Sequence, residues 1–174
     1  ARAELKQHRG VEFYLSLLSA EYWQEAALDA LLAWLLDEPT YVSRAMEAPQ
    51  GVSALLGVME TRNSSFVNML EPMLKIAYNS SSVNQALGRL DARSGKSPFI
   101  VALVSRLEHP NALARRMLLA ILPSLYEKHR SPKQLVARHK LVPLVRRLST
   151  RDPGVLVQQI ASQLLRAFEA HDLV

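Results

Sequence analysis

The 174-residue chain is rich in Leu and Ala, has six glycines and contains no cysteine, which favours helix over sheet and excludes a disulfide framework, a thiolate metal site and a cysteine nucleophile. Its formal charge of +5 is unevenly spread: residues 1–91 carry 7 Lys/Arg against 11 Asp/Glu, residues 92–174 carry 14 against 5. No apolar run reaches the roughly 18–20 residues of a membrane span, and no signal-peptide core opens the chain, so a cytoplasmic protein without membrane contact is expected; starting at Ala1 without an initiator Met, it reads as a piece of a longer protein.

A short apolar helix is predicted over residues 11–18, followed by a long one over 22–36. In the long helix Trp23, Ala27, Leu31 and Trp34 recur at helical spacing beside Leu28, Leu32 and Leu35. Glu21, Glu25 and Asp29 leave only a narrow polar stripe, so this helix is expected to lie between others. Both tryptophans are then core residues, whereas Tyr14 and Tyr41 are not needed by the apolar period and are candidate surface contacts. Pro39 ends the long helix, and 41–47 is a short connector.

The same order returns. Helices are predicted at 52–59 and 65–78, then 100–107 and 112–126, then 141–148 and 155–168, with a connector at 134–138. The short segments start 41, 48 and 41 residues apart. A period in the forties with a short and a long helix in fixed order is the mark of armadillo or HEAT arrays. The predicted fold is therefore an all-α, right-handed armadillo/HEAT-type repeat array of about four repeats, the terminal ones partial, in one domain. Pro72 and Pro123 fall inside long helices and predict kinks. The longer second spacing places an insertion between Asn79 and Ser97, with a short helix at 83–90 and a loop expected to be mobile.

Turn chemistry supports these boundaries. Ser97-Pro98, Ser131-Pro132 and Asp152-Pro153 each set a capping residue before a proline at the first helical position. Ser131 and Gln134 have capping-box spacing, and Asn111 can cap the helix that follows it. The end of the chain after Phe168 lacks a closing pair of helices, so the surface around Ile160 and Leu164 is expected to be covered by further sequence or to be a contact surface.

No constellation for catalysis emerges. Ser94-Gly95-Lys96-Ser97 lacks the upstream glycine of a P-loop. His8, His109, His129, His139 and His171 are scattered, never at metal-ligand spacing, and read as surface residues. No serine stands in a nucleophile elbow. The chain is expected to be a non-enzymatic segment with no cofactor and no metal.

Binding is the better use of these residues. Arg106, Arg115, Arg116, Arg138, Lys140, Arg146, Arg147 and Arg151 are the candidate partner-binding residues, with Lys128, Arg130 and Lys133 adding charge nearby. They predict an electropositive surface for an acidic protein segment. Nucleic acid is the competing occupant, disfavoured because this half has few aromatics to stack bases. A homodimer through the open C-terminal end is a further alternative, as is a generic scaffold. Arg146-Arg147-Leu148-Ser149 matches a basophilic kinase site and Ser131-Pro132 a proline-directed one.

The string Tyr22-Trp23-Gln24, Ala27-Leu28, Leu31, Trp34-Leu35 and Asp37-Glu38, then Gly51-Val52 and Leu55-Leu56, resembles the C-terminal armadillo-like region of fungal septation and mitotic-exit kinases of the SepH type. The plant epsilon-class MAP kinase kinase kinases look related over the same region. The resemblance covers most of residues 10–170. It implies a non-catalytic region of a serine/threonine kinase that localises the enzyme to the spindle pole or division site, through a Ras-like small GTPase and a coiled-coil scaffold. The glycine loop, HRD and DFG motifs of the kinase domain are absent from this sequence.

Overall fold

The computed structural model describes residues 2–174, and the side chains from residue 3 onward. Among these residues every regular element is α-helical: α1 Arg2–Gln7, α2 Gly10–Leu17, α3 Gln24–Asp37, α4 Pro39–Glu47, α5 Pro49–Glu60, α6 Phe66–Asn79, α7 Ser81–Gly88, α8 Pro98–Ser105, α9 Ala112–Glu127, α10 Pro132–Arg138, α11 Leu141–Arg151 and α12 Val155–Ala170. Along the chain the order is two short helices and a long one, four times over. The connectors predicted at 41–47, 83–90 and 134–138 are α4, α7 and α10, and α1 supplies the same element ahead of α2.

Two compact units divide the chain, Ala1–Leu87 and Gly88–Val174. In the first, α2 packs on α3 and α5 while α3 packs on α6. Like therefore meets like: second helix on second, third on third. In the second unit α9 packs on α12 in the same sense, and α10 joins α9 to α11. Leu28, Leu31 and Leu35 of α3 are buried with Met69, Met73 and Ile76 of α6 in one core; Leu118, Leu122 and Leu125 of α9 are buried with Val157, Ala161 and Phe168 of α12 in the other. One helical hairpin cannot cover its own apolar face, and this pairing does so.

A polar device repeats at the start of three of the long helices. Gln24 Nε2 donates to the Leu18 carbonyl at 2.9 Å, Arg115 Nη1 to that of His109 at 2.7 Å, and Gln158 Nε2 to that of Asp152 at 2.6 Å. Each reaches six residues back to close the turn before its own helix. Gln24 and Arg115 also reach forward, to Thr61 and to Asp152, and so tie successive turns together. Close backbone approach fixes one corner: a Cβ at Gly51 would stand 2.4 Å from the carbonyl oxygens of Ala45 and Met46, so α5 can begin tight against α4 only with glycine there.

Several expectations meet a different outcome. Trp34 is 2 % exposed, but Trp23 is 52 % exposed and precedes α3 instead of lying in its apolar face. Ala26, Asp29, Ala33 and Leu36 make α3 solvent-facing on one side, a wider open face than the predicted stripe. Tyr14 and Tyr41 are half-buried, both packed on Trp34 with ring centroids 6.4 and 5.9 Å away. Ser97 and Asn111 cap as predicted. Ser131 stands at the cap position without a side-chain bond to its helix, and α12 begins after Gly154 because Asp152 is engaged elsewhere. Pro72 and Pro123 lie inside α6 and α9. Leu164 is buried by the chain itself.

Candidate functional site

The basic row of the second unit is carried by two helices, α10 and α11, and a loop. α11, LVPLVRRLSTR, buries Leu141, Val145 and Leu148 and turns Arg146, Arg147, Thr150 and Arg151 outward. Arg147 and Arg151 fall at i and i+4, one face of the helix, with Arg146 beside them and Lys140 at the position that precedes the helix. The hydroxyls of Ser149 and Thr150 donate to the Arg146 carbonyl at 2.7 and 3.3 Å, which occupies them on their own helix and leaves the guanidinium groups unencumbered.

At the start of α11 the row widens. Gly95 adopts φ +67, and a Cβ there would meet Arg138 Nη1 at 3.3 Å; the Arg138 side chain thus lies across the loop between α7 and α8. His139 holds that loop. It is buried, and its Nε2 accepts from the Ser97 backbone N–H at 2.9 Å. Within the loop, Asp91 Oδ1 accepts from the Arg93 and Ser94 amides at 2.8 and 3.0 Å, bonds that lower the Asp91 pKa. Lys96, next to Gly95, is therefore presented beside Arg138, and Arg93 is exposed in the same loop. The sequence placed them in a loop without a partner; the only signal was the basic tetrad RSGK ahead of Ser97.

At the other end, Arg115 leaves the candidate surface. It is 7 % exposed, and its Nε and Nη2 donate to Asp152 Oδ2 and Oδ1 at 2.9 and 3.0 Å. A buried, bidentate guanidinium is a brace of the fold. Arg106 is half-buried just after α8 with interactions of its own, and it contributes, after desolvation, to lowering the His109 pKa. Arg116 is exposed on α9, a separate helix from the row. The structure thus brings together Arg138, Lys140, Arg146, Arg147 and Arg151, adds Arg93 and Lys96, and sets Arg115 apart.

The electrostatics of the row follow from one residue. Between Glu127 and Glu169 the sequence has a single acid, Asp152, and both of its oxygens face Arg115, with Oδ1 also accepting from the Gly154 amide at 2.8 Å. Lys133 at the start of α10 pairs with Asp172 at 3.6 Å, so the cations that keep their charge uncompensated are Arg138, Lys140, Arg146, Arg147 and Arg151, all exposed. Burial, with Lys96 and His129 adding repulsion, pushes the His139 pKa down to about 4, so His139 is neutral at physiological pH and serves as an acceptor. His129 is likewise not a free surface residue: its Nε2 lies 3.1 Å from the Gly88 carbonyl and its Nδ1 accepts from the Ser131 amide.

No group of three or more His, Asp or Glu among the described residues could hold a metal ion, and no helix there is long and apolar enough to cross a membrane. In the first unit an open groove of about 590 Å³ runs between α2, α4 and α5, lined by small residues such as Ala45, Ala54 and Gly57 with Arg9 and Arg44 at its rim. Its side chains form no nucleophile–base pair.

No protein-family model matches the chain, and no solved structure does. Curated proteins do. The MAP3K epsilon protein kinase 2 of Arabidopsis thaliana is 37 % identical over 183 residues, covering 100 % of this chain. Cytokinesis protein sepH of Emericella nidulans is 32 % identical over 177 residues and 98 % of the chain; Cell division control protein 7 of Schizosaccharomyces pombe is 27 % identical over 176 residues and 95 %. The chain spans 13 % of the length of the first two and 15 % of the third. Similarity that runs the length of both units, at this identity, is common descent, and the chain is homologous to one segment, outside the catalytic part, of the MAP3K epsilon and sepH-type septation kinases.

Proposed function

We propose that this segment is a protein-interaction and localisation module of a septation-type serine/threonine kinase, its three-helix repeats being of the right-handed armadillo/HEAT class, and that the row on α10–α11 docks an acidic segment of a partner. The observation that carries the reading is the uncompensated charge. Arg138, Lys140, Arg146, Arg147 and Arg151 are exposed together, and the one acid between Glu127 and Glu169 is buried under Arg115. A positive row of this kind steers an acidic partner and fixes its register. The resemblance to SepH-type kinases supports a Ras-like small GTPase or a spindle-pole scaffold as that partner, and a spindle-pole or division-site location. An acidic protein segment is favoured over nucleic acid because the exposed side of α11 has no aromatic on which a base would stack.

The test is affinity for GTP- and GDP-loaded small GTPases and for acidic scaffold segments, measured with the chain and with its R146E/R147E variant. The reading expects at least a tenfold loss in the variant at unchanged thermal stability, since exposed charges contribute little to folding. Equal affinity in the two proteins overturns it.

A further inference from the structure

We infer that the turn carrying Tyr22 and Trp23, on the first unit, is a second docking surface, and that its occupant is an arginine- or lysine-bearing segment of another protein. In the run Tyr22-Trp23-Gln24 the fold accounts for the third residue alone. Gln24 is buried and ties the turn to Leu18 and Thr61. Tyr22 and Trp23 are 86 and 52 % exposed, and their rings meet edge to face at 4.9 Å. Two large aromatics held together in solvent contribute little to folding, yet they are the residue types from which interface hot spots are built.

The turn beneath them is rigid. Asn63 Nδ2 donates to the Glu21 carbonyl at 2.9 Å, Thr61 Oγ1 to Gln24 Oε1 at 2.9 Å, and the Trp23 amide to the Ala20 carbonyl at 3.0 Å. Aromatics presented on a fixed turn lose little conformational entropy on binding.

The chemistry of the surroundings selects the occupant. Tyr22 lines a shallow cleft of about 450 Å³ with Glu21, Glu25, Asn63 and Ser65. Asp29 of α3 and Glu60 of α5 add negative charge on the adjoining helices and are exposed, with the exposed base Arg62 in the turn after α5. The cleft also reaches the start of α6, whose amides would otherwise favour an anion. Three of these are taken: the Ser65 amide donates to Asn63 Oδ1, that of Phe66 to the Asn63 carbonyl and that of Asn68 to the Ser65 carbonyl. What the turn and cleft offer is the two aromatic rings and the carboxylates of Glu21 and Glu25. A guanidinium or ammonium group suits both, stacking on a ring while it pairs with a carboxylate. The surface is thus opposite in sign to the row on α11 and selects a different partner.

The test titrates the 174-residue chain with a blocked peptide of alternating glycine and arginine carrying four arginines, and with the same peptide carrying glutamates. Indole N–H resonances are followed by NMR, the Trp23 signal being assigned with Trp23→Phe. The proposal expects a saturable shift of the Trp23 indole with the arginine peptide, an unmoved Trp34 indole, and no response to the glutamate peptide. Affinity should fall at least tenfold in Tyr22→Ala and in Trp23→Ala, and at least threefold in the double variant E21Q/E25Q, each with a melting temperature within two degrees or so of the parent. An unmoved Trp23 indole, or equal affinity in Tyr22→Ala and the parent, overturns it. A Trp23 shift that depends on protein concentration alone also overturns it, assigning the face to a second copy of the chain.

Discussion

Arg115 lays its guanidinium flat on Asp152, thirty-seven residues further along, with two hydrogen bonds of 2.9 and 3.0 Å. Its remaining nitrogen donates to the His109 and Pro110 carbonyls at 2.7 and 3.1 Å. The turn after α8 and the turn after α11 thereby share one clamp. Asp152→Ala leaves a buried guanidinium without its counter-ion, a loss of about 3–5 kcal/mol. The paired replacement R115M/D152L should recover most of it, because the cost lies in the orphaned charge and not in the absent bond. Urea unfolding of the parent and the two variants gives both numbers, and a double variant no more stable than Asp152→Ala would refute that account.

The two tryptophans, eleven residues apart, should differ in energy as they differ in burial. Trp34 packs between Tyr14 and Tyr41 and donates its indole N–H to Glu38 Oε2 at 2.8 Å, while Glu38 also pairs with Lys6. Trp34→Ala empties that space and should cost about 3–5 kcal/mol. Trp23→Ala should change stability by roughly 0.5 kcal/mol or less, the ordinary result for an exposed side chain. Thermal denaturation of both variants decides it; equal losses would mean that Trp23 is buried in solution.

This pair also shows what the sequence could and could not tell. Period alone set Trp23 and Trp34 on one face, since eleven residues are about three helical turns. Period does not report where the helix begins, and Trp23 lies just outside α3. Helix type and order were legible because Leu and Ala recur at helical spacing through every long segment. The basic row was legible as composition, but Arg115 reads like its neighbours until its one buried acid is found 37 residues away. Arg93 and Lys96 were hidden for the same reason: a histidine forty-two residues from Ser97 places their loop, and no local pattern announces it.

That loop gives the third prediction. If His139 sets the loop of Arg93 and Lys96 beside Arg138, then R93E/K96E should weaken binding of an acidic segment as R146E/R147E does, though the two pairs are far apart in sequence. Each pair should also flatten the dependence of affinity on salt, because exposed charge attraction is what salt screens. Calorimetric titration at about 50 and 200 mM salt measures both effects. A full salt response in R93E/K96E would place the loop outside the docking surface.

His139 itself gives a prediction with a defined sign. Its pKa is held near 4 in the fold, by burial first and then by Lys96 and His129, against about 6.5 in an unfolded chain. The unfolded chain therefore binds the proton more readily, and stability falls as pH drops from about 6.5 toward 4. The chemical cause is explicit: protonation turns Nε2 from acceptor to donor, facing the Ser97 N–H that donates to it. A shift of this size corresponds to about 2–4 kcal/mol. His109, whose pKa is also lowered, by burial and then by Arg106 and Arg115, acts in the same direction. His139→Gln keeps a carbonyl acceptor that does not titrate, so its stability should fall less than that of the parent over the same range. Urea midpoints at pH 7, 6, 5 and 4 for parent and variant make the comparison, the carboxylates common to both proteins cancelling in the difference. Parallel curves would show that His139 does not carry the acid sensitivity of the α10–α11 corner.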